Sequence, residues 1–224
     1  MNKVVGIAAH VDAGKTTFAE DLLYHTDTIR EKGRVDNKNS HLDSHQLEKE
    51  RGITIFSDQA VMEYGEDTYY LVDTPGHVDF SPEMERTLMI MDYVIVIVSA
   101  VEGVQGHTET VWQLIEEYNI PAFFFINKID RTGSDVNRVK KEIEANLTEN
   151  IFLLNQSLEK QLSQELIEFT AAREEKLLQL YIDEKYTKEK WINSLQEMIK
   201  NNKLQIAGSG SALKDEGVIQ FFKN

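Results

Sequence analysis

Ala9-His10-Val11-Asp12-Ala13-Gly14-Lys15-Thr16 stands at the end of an apolar run, Val4 to Ala9, and ahead of a stretch with helical spacing. A strand that turns through Gly-Lys-Thr into a helix is the layout of a phosphate cradle. Gly14 lets backbone N–H groups approach phosphate oxygens with no Cβ in the way. Lys15 can reach the β and γ oxygens, and the Thr16 hydroxyl can ligate magnesium at a helix N-terminus whose dipole favours anions. Ala9 departs from the general pattern, in which a first glycine is usual. Taken alone, the stretch could also be a strand and a helix with an incidental Gly-Lys-Thr, so the decision rests on the motifs further along the chain.

Three of them come in the one order a GTP-binding domain can use: Arg51-Gly52-Ile53-Thr54-Ile55, Asp73-Thr74-Pro75-Gly76-His77 and Asn127-Lys128-Ile129-Asp130. Asp73 directly follows a strand candidate and can hold a magnesium-bound water. The Gly76 N–H can bond a γ-phosphate, and His77 beside it can reach the attacking water. The same residue types also form ordinary turns, and it is their position after the second parallel strand that favours chemistry. Ile53-Thr54-Ile55 by itself is simply the start of a strand; in company with the phosphate loop, Thr54 becomes a second magnesium ligand. Asp130 can accept from guanine N1–H and N2–H, which adenine lacks, so the loop selects GTP over ATP. Lys128 can lie over the base and ribose, Asn127 can tie this loop to the phosphate loop, and Gly210-Ser211-Ala212 can offer the Ala212 N–H to guanine O6. The implied ligand is GTP or GDP with Mg2+, and the implied reaction is hydrolysis.

The elements around these motifs alternate between apolar and amphipathic. Strand candidates are Val4 to Ala9, Tyr69 to Asp73, Tyr93 to Ala100 and Ala122 to Asn127, with a hairpin turning at Gly65-Glu66-Asp67. Helices are expected after Gly14, His107 and Gly133. The fold class is therefore α/β: a phosphate-loop GTPase fold, mostly parallel sheet with helices on both faces. From Thr148 to Lys203 strand-like runs vanish and leucines recur at helical spacing, Leu158, Leu162 and Leu166 among them. The division expected is a GTP-binding domain over 1–147 and 204–224, with a helical insert subdomain over 148–203. Ile206 to Ala212 returns to the sheet, and Val218 to Phe222 begins a closing helix.

With 224 residues and 41% hydrophobic content the chain can bury one large core, or one core and a small appendage. No apolar run approaches the roughly 18 to 20 residues of a spanning helix, and the start lacks a signal-peptide layout, so the expected place is the cytoplasm. There are no cysteines, which excludes disulfides and thiolate metal sites. The net charge of −14 argues against a broad grip on nucleic acid, and DNA is not an expected partner.

These residues resemble the G domain of translational GTPases, in particular the group holding elongation factor G and the tetracycline-resistance ribosomal protection proteins. The similarity is carried by Ala8 to Thr17, Glu50 to Ile55, Asp73 to Phe80, Ile126 to Arg131 and Gly210 to Lys214, and it covers nearly the whole chain outside the insert. The resemblance makes Ala9 ordinary and implies further roles. Asp12, Ala13, Thr17, Ser211 and Leu213 join the nucleotide-binding set. His77 becomes the catalytic residue, oriented by large-subunit ribosomal RNA, with Val11 and Ile53 as an apolar gate beside it; Asp43 corresponds to an aspartate near magnesium. The implied partner is the ribosome, touched by a small patch around His77, and the isolated domain is expected to be monomeric and to lack further domains of a longer protein. The short insert points toward the protection type, whereas Glu109-Thr110-Val111-Trp112 is similar to elongation factor G. A GTP-dependent switch outside translation is the competing class, and Gly76-His77 with Arg51 to Ile55 argues against it.

Overall fold

The structure is a computed structural model that describes residues 1–32, 58–74, 81–154, 157–158, 162–183 and 187–224. Its strands are β1 (Asn2–Ala9), β2 (Asp58–Tyr64), β3 (Asp67–Asp73), β4 (Tyr93–Ser99), β5 (Ala122–Asn127), β6 (Ile151–Leu153) and β7 (Gln205–Ser209). They form one sheet in the order β2-β3-β1-β4-β5-β7-β6. Only β2 runs antiparallel, through a hairpin in which Tyr64 pairs Asp67; every other neighbouring pair is parallel.

Although the central strands read as continuous apolar runs, their alternate residues serve two different cores. Val5, Ile7 and Ala9 of β1 and Ile95 and Ile97 of β4 face one side. There they meet Phe18, Ala19, Leu22 and Leu23 of helix α1 (Lys15–His25). The aromatic contact Phe18–Phe125, with ring centroids 4.9 Å apart, joins α1 to β5. Ala8, Val94, Val96 and Val98 face the other side. Helices α2 (Ser81–Leu88), α3 (Gly106–Glu117) and α4 (Val136–Asn146) cover them with Met84, Leu88, Val111, Trp112, Ile115, Val139 and Ile143. The α4 helix starts where it does because the Asp135 side chain accepts from the Arg138 N–H at 2.9 Å.

Three helices follow β6: α5 (Gln164–Ala171), α6 (Glu175–Ile182) and α7 (Lys188–Lys200), and α8 (Val218–Lys223) closes the described chain. Two of the expectations for 148–203 are corrected. Ile151–Leu153 is a strand, paired in parallel with Gln205 to Ala207, so strand structure does not vanish there. Leu158 and Leu162 are not on a helix with Leu166, because Ser163 caps α5 by accepting from the Leu166 N–H at 3.2 Å. Leu162 is nevertheless buried, in a third core with Leu166, Leu177, Trp191, Leu195 and Met198. Leu204 and Ile206 complete it, so this core leans on the edge of the sheet. Among the described residues no helix is long and apolar enough to cross a membrane.

Trp191 is the centre of that third core: it is fully buried, and its indole N–H donates to Thr170 Oγ1 at 3.0 Å. Trp191→Ala is expected to cost about 3–5 kcal/mol by cavity formation. The loss should fall on the three-helix region alone, so urea denaturation should show this region unfolding ahead of the sheet. A single transition with an unchanged midpoint would mean that Trp191 does not hold this core together.

Candidate nucleotide site

Because β1, β3, β5 and β7 run parallel, their carboxyl ends lie along one edge of the sheet, and each is followed by one of the sequence motifs. After β1 the chain turns through 10–14 in strained backbone. Asp12 has φ 63° and Gly14 φ 93°, both in the left-handed region. A side chain at Gly14 fails on two counts, since an added Cβ would also lie 2.4 Å from Asn127 Nδ2. Gly14 is the N-cap of α1, which receives no side-chain cap and carries no acidic residue in its first turn. The positive end of that helix is therefore left for a ligand anion.

Lys15 and Thr16, the first residues of α1, turn toward Asp73 at the end of β3. Lys15 Nζ forms a buried ion pair with Asp73 Oδ1, and Thr16 Oγ1 donates to Asp73 Oδ2 at 3.3 Å. Asp73 is held in turn by its neighbour: the Thr74 hydroxyl and N–H both donate to the Ile7 carbonyl, at 2.8 and 3.2 Å. Hence a cation, a hydroxyl and a carboxylate converge beside an uncapped helix start. That donor set suits a phosphate chain and its magnesium ion.

Asn127 links this end to the base end. Its Nδ2 donates to the Ala13 carbonyl at 2.9 Å, and its Oδ1 accepts from the Ala212 N–H at 3.0 Å. The first contact is the tie to the phosphate loop that the sequence suggests. The second engages the Ala212 amide, the group for which the sequence suggests guanine O6 as partner. A buried N–H must find an acceptor, and Asn127 supplies it. Lys128, with φ 65°, reaches Glu102 Oε2 at 3.5 Å. Burial pushes Glu102 up, but the Ser99 hydrogen bond and Lys128 outweigh it and leave its carboxyl below the usual range. Asp130 is exposed at the mouth, as are Asp12, Val11 and Leu213; Thr17 is half-buried, and Ala13 and Ser211 are buried.

Asp43, Ile53, Thr54, Gly76 and His77 lie outside the described residues. Three residues to which the sequence assigned no role are also brought to the site. Thr74 and Glu102 act as described above, and neither has a distinctive local signal. His10 is 7% exposed, and neither ring nitrogen has a hydrogen-bond partner among the described residues. Burial pushes its imidazole below the usual range, with Glu102 opposing and Lys128 and His107 adding to the shift. It stands at the entrance to the phosphate loop.

A doubly covered, mostly parallel sheet with an uncapped Gly-Lys-Thr helix start and an asparagine-linked base loop defines a phosphate-loop nucleotide-binding domain. The profile of the family described as elongation factor Tu GTP binding domain matches residues 2–224, and the chain belongs to that family. It is 44% identical over 158 residues to a tetracycline resistance protein, TetP, of Clostridium perfringens, over 70% of this chain and 24% of that protein. Against elongation factor G 2 of Borreliella afzelii it is 46% identical over 140 residues, 62% of this chain and 21% of that one. TetM from transposon Tn1545 of Enterococcus faecalis is 36% identical over 195 residues, 86% of this chain and 30% of that protein. A crystal structure of a Thermus thermophilus protein superposes with a TM-score of 0.90 at 23% identity, over 99% of this chain and 39% of its own, and shares the fold. The chain thus spans a quarter or so of the length of these curated relatives. It is a GTP-binding domain of that family.

Proposed function

We propose that this domain binds GTP or GDP with Mg2+ and hydrolyses GTP on the ribosome, as the motor of a ribosomal protection type of translation factor. The observation that carries the reading is the convergence of Lys15, Thr16 and Asp73 at an uncapped helix start that Asn127 joins to the base loop. On nucleotide entry, Lys15 exchanges Asp73 for phosphate oxygens, the α1 amides receive the anion, and Asp130 accepts from the guanine edge. Asp12, Ala13 and Thr17 line the phosphates, while Ser211, Ala212 and Leu213 border the base. Magnesium would be held by the Thr16 and Thr54 hydroxyls and, through water, by Asp73, and would neutralise charge on the phosphate oxygens. The Gly76 N–H senses the γ-phosphate, and His77 orients the attacking water. The Asp73 already held by Thr74 and Ile7 suits a fixed second-sphere role.

The protection type is favoured over an elongation factor G paralogue by the reach of one similarity. The TetM alignment of 195 residues is longer than the chain outside 148–203, so it runs into the insert. The elongation factor G 2 alignment, of 140 residues, has no need to. We take 148–203 as an insert that supplies the edge strand Ile151–Leu153 and packs its helices there without touching the chemistry, and the domain as a cytoplasmic monomer with no membrane or DNA partner.

Hydrolysis by the domain alone is expected to be slow, on the order of 10⁻⁴ to 10⁻³ per second, with a large stimulation when ribosomes complete the site. His77→Ala should leave GTP affinity unchanged and remove the stimulated rate. Single-turnover hydrolysis with and without ribosomes, in the full-length protein, tests this. A His77→Ala protein that is stimulated as well as the parent would exclude the catalytic role.

A further inference from the structure

Away from the nucleotide site, Asp21 and His25 stand four residues apart on one face of α1, and Asp215 approaches them from the loop that follows Ala212. One carboxylate oxygen from each aspartate and one imidazole nitrogen all lie within 4.8 Å of one another. Lys32 Nζ is ion-paired to Oδ1 of both carboxylates, so a lysine ammonium sits where a cation would. One ammonium does not satisfy the cluster. Asp21 is 1% exposed, yet its Oδ2 is buried with no hydrogen-bond partner among the described residues. His25 Nε2 is likewise buried without a hydrogen bond among the described residues, lying 3.6 Å from Asp21 Oδ1. Two polar atoms of these residues, Asp21 Oδ2 and His25 Nε2, thus lack a hydrogen bond among the described residues, in a setting where an unmet acceptor is costly.

We propose that Asp21, His25 and Asp215 form a binding site for a borderline divalent transition-metal cation of the zinc type, at which Lys32 is a built-in competitor. The donor set decides the class. One imidazole and two carboxylates leave a fourth position to water, which fits zinc, whereas magnesium or calcium would need a larger shell of oxygens. Ligand atoms within 4.8 Å need to draw in by about 1 Å to meet a tetrahedral ion at roughly 2.0–2.2 Å. Asp215 can move, being exposed at the end of a short turn with φ 64°. The displaced Lys32 has somewhere to go, because its ammonium already lies 4.7 Å from the centre of the Tyr24 ring.

None of these residues belongs to the nucleotide set, so the proposal stands apart from the function proposed above. Its consequence is a metal clamp between the last turn of α1 and the loop just beyond Ala212, in place of the Lys32 clip.

The experiment uses the tag-free chain saturated with GDP and excess magnesium, so that the nucleotide site is filled. Zinc is titrated by calorimetry, and cobalt by its visible spectrum. One zinc should bind, raise the melting temperature and, as cobalt, show tetrahedral bands. His25→Asn, at a half-exposed helix end, should weaken zinc by about tenfold or more. Lys32→Ala should tighten it by a similar factor, because the competitor is gone; circular dichroism checks that both variants fold. The proposal is overturned if the parent chain binds no zinc, if His25→Asn binds it as tightly as the parent, or if Lys32→Ala weakens it.

Discussion

Lys15→Ala is expected to abolish nucleotide binding and to destabilise the ligand-free domain, both through Asp73. Lys15 Nζ and the Asp73 carboxylate are paired in a site where their side chains are 7% and 0% exposed. Removing one member of a buried pair costs about 3–5 kcal/mol, because the other charge is left without compensation. With nucleotide, the same ammonium would serve the β and γ oxygens, where hydrogen bonds to charged groups contribute about 1.5–3 kcal/mol each. Loss of two such bonds lowers affinity by about 10² to 10⁴-fold. The effects separate in the double variant Lys15→Ala with Asp73→Asn, whose neutral amide no longer needs a counter-charge. Much of the stability should return in urea denaturation, while calorimetry should still find no tight GTP binding. If Lys15→Ala kept GTP affinity within about threefold of the parent, the phosphate-loop assignment would fail.

The elements that the sequence made legible are those whose residues serve a local rule. Ala122–Asn127 is a strand over the expected residues because an apolar run follows Pro121 and ends on the polar Asn127. The α1 start is marked by Gly14, whose conformation and close approach to Asn127 leave no other residue type suitable. The strand Ile151–Leu153 was not legible. Three apolar residues have no period, and they become a strand only by pairing with Gln205 to Ala207, more than fifty residues away. Leu158 and Leu162 mislead for the opposite reason: their four-residue spacing looks helical, but the Ser163 cap starts the helix after them. In the site, the tie from Asn127 to Ala13 follows from motif order. The use of the Ala212 amide by Asn127, and the Lys128–Glu102 pair, depend on which loops the sheet brings together. Asp21, Lys32 and Asp215 are the extreme case, for nothing local in the chain joins residues 21 and 215.

Asp130→Asn is expected to exchange guanine for xanthine as the preferred base. The Ala212 N–H, which could have read guanine O6, is engaged by Asn127 Oδ1 at 3.0 Å, while Asp130 is exposed at the mouth of the site. Its carboxylate can accept from both N1–H and N2–H of guanine, and adenine offers neither donor. An amide keeps one acceptor but turns its NH₂ toward the guanine amino group, so one bond is lost and two donors oppose each other. Xanthine carries a carbonyl in place of that amino group and pairs with the amide on both sides. One hydrogen bond to a charged group contributes about 1.5–3 kcal/mol, and the opposed donors add to the loss, so the variant should lose about 10- to 10²-fold or more in GTP affinity. Xanthosine triphosphate should gain by a comparable factor, and ATP should stay weak in both proteins. Calorimetric titration of the three nucleotides into parent and variant measures each of these. Equal binding of ATP and GTP by the parent would show that Asp130 does not read the base. A variant that kept its GTP affinity would move the discrimination to the 210–213 loop.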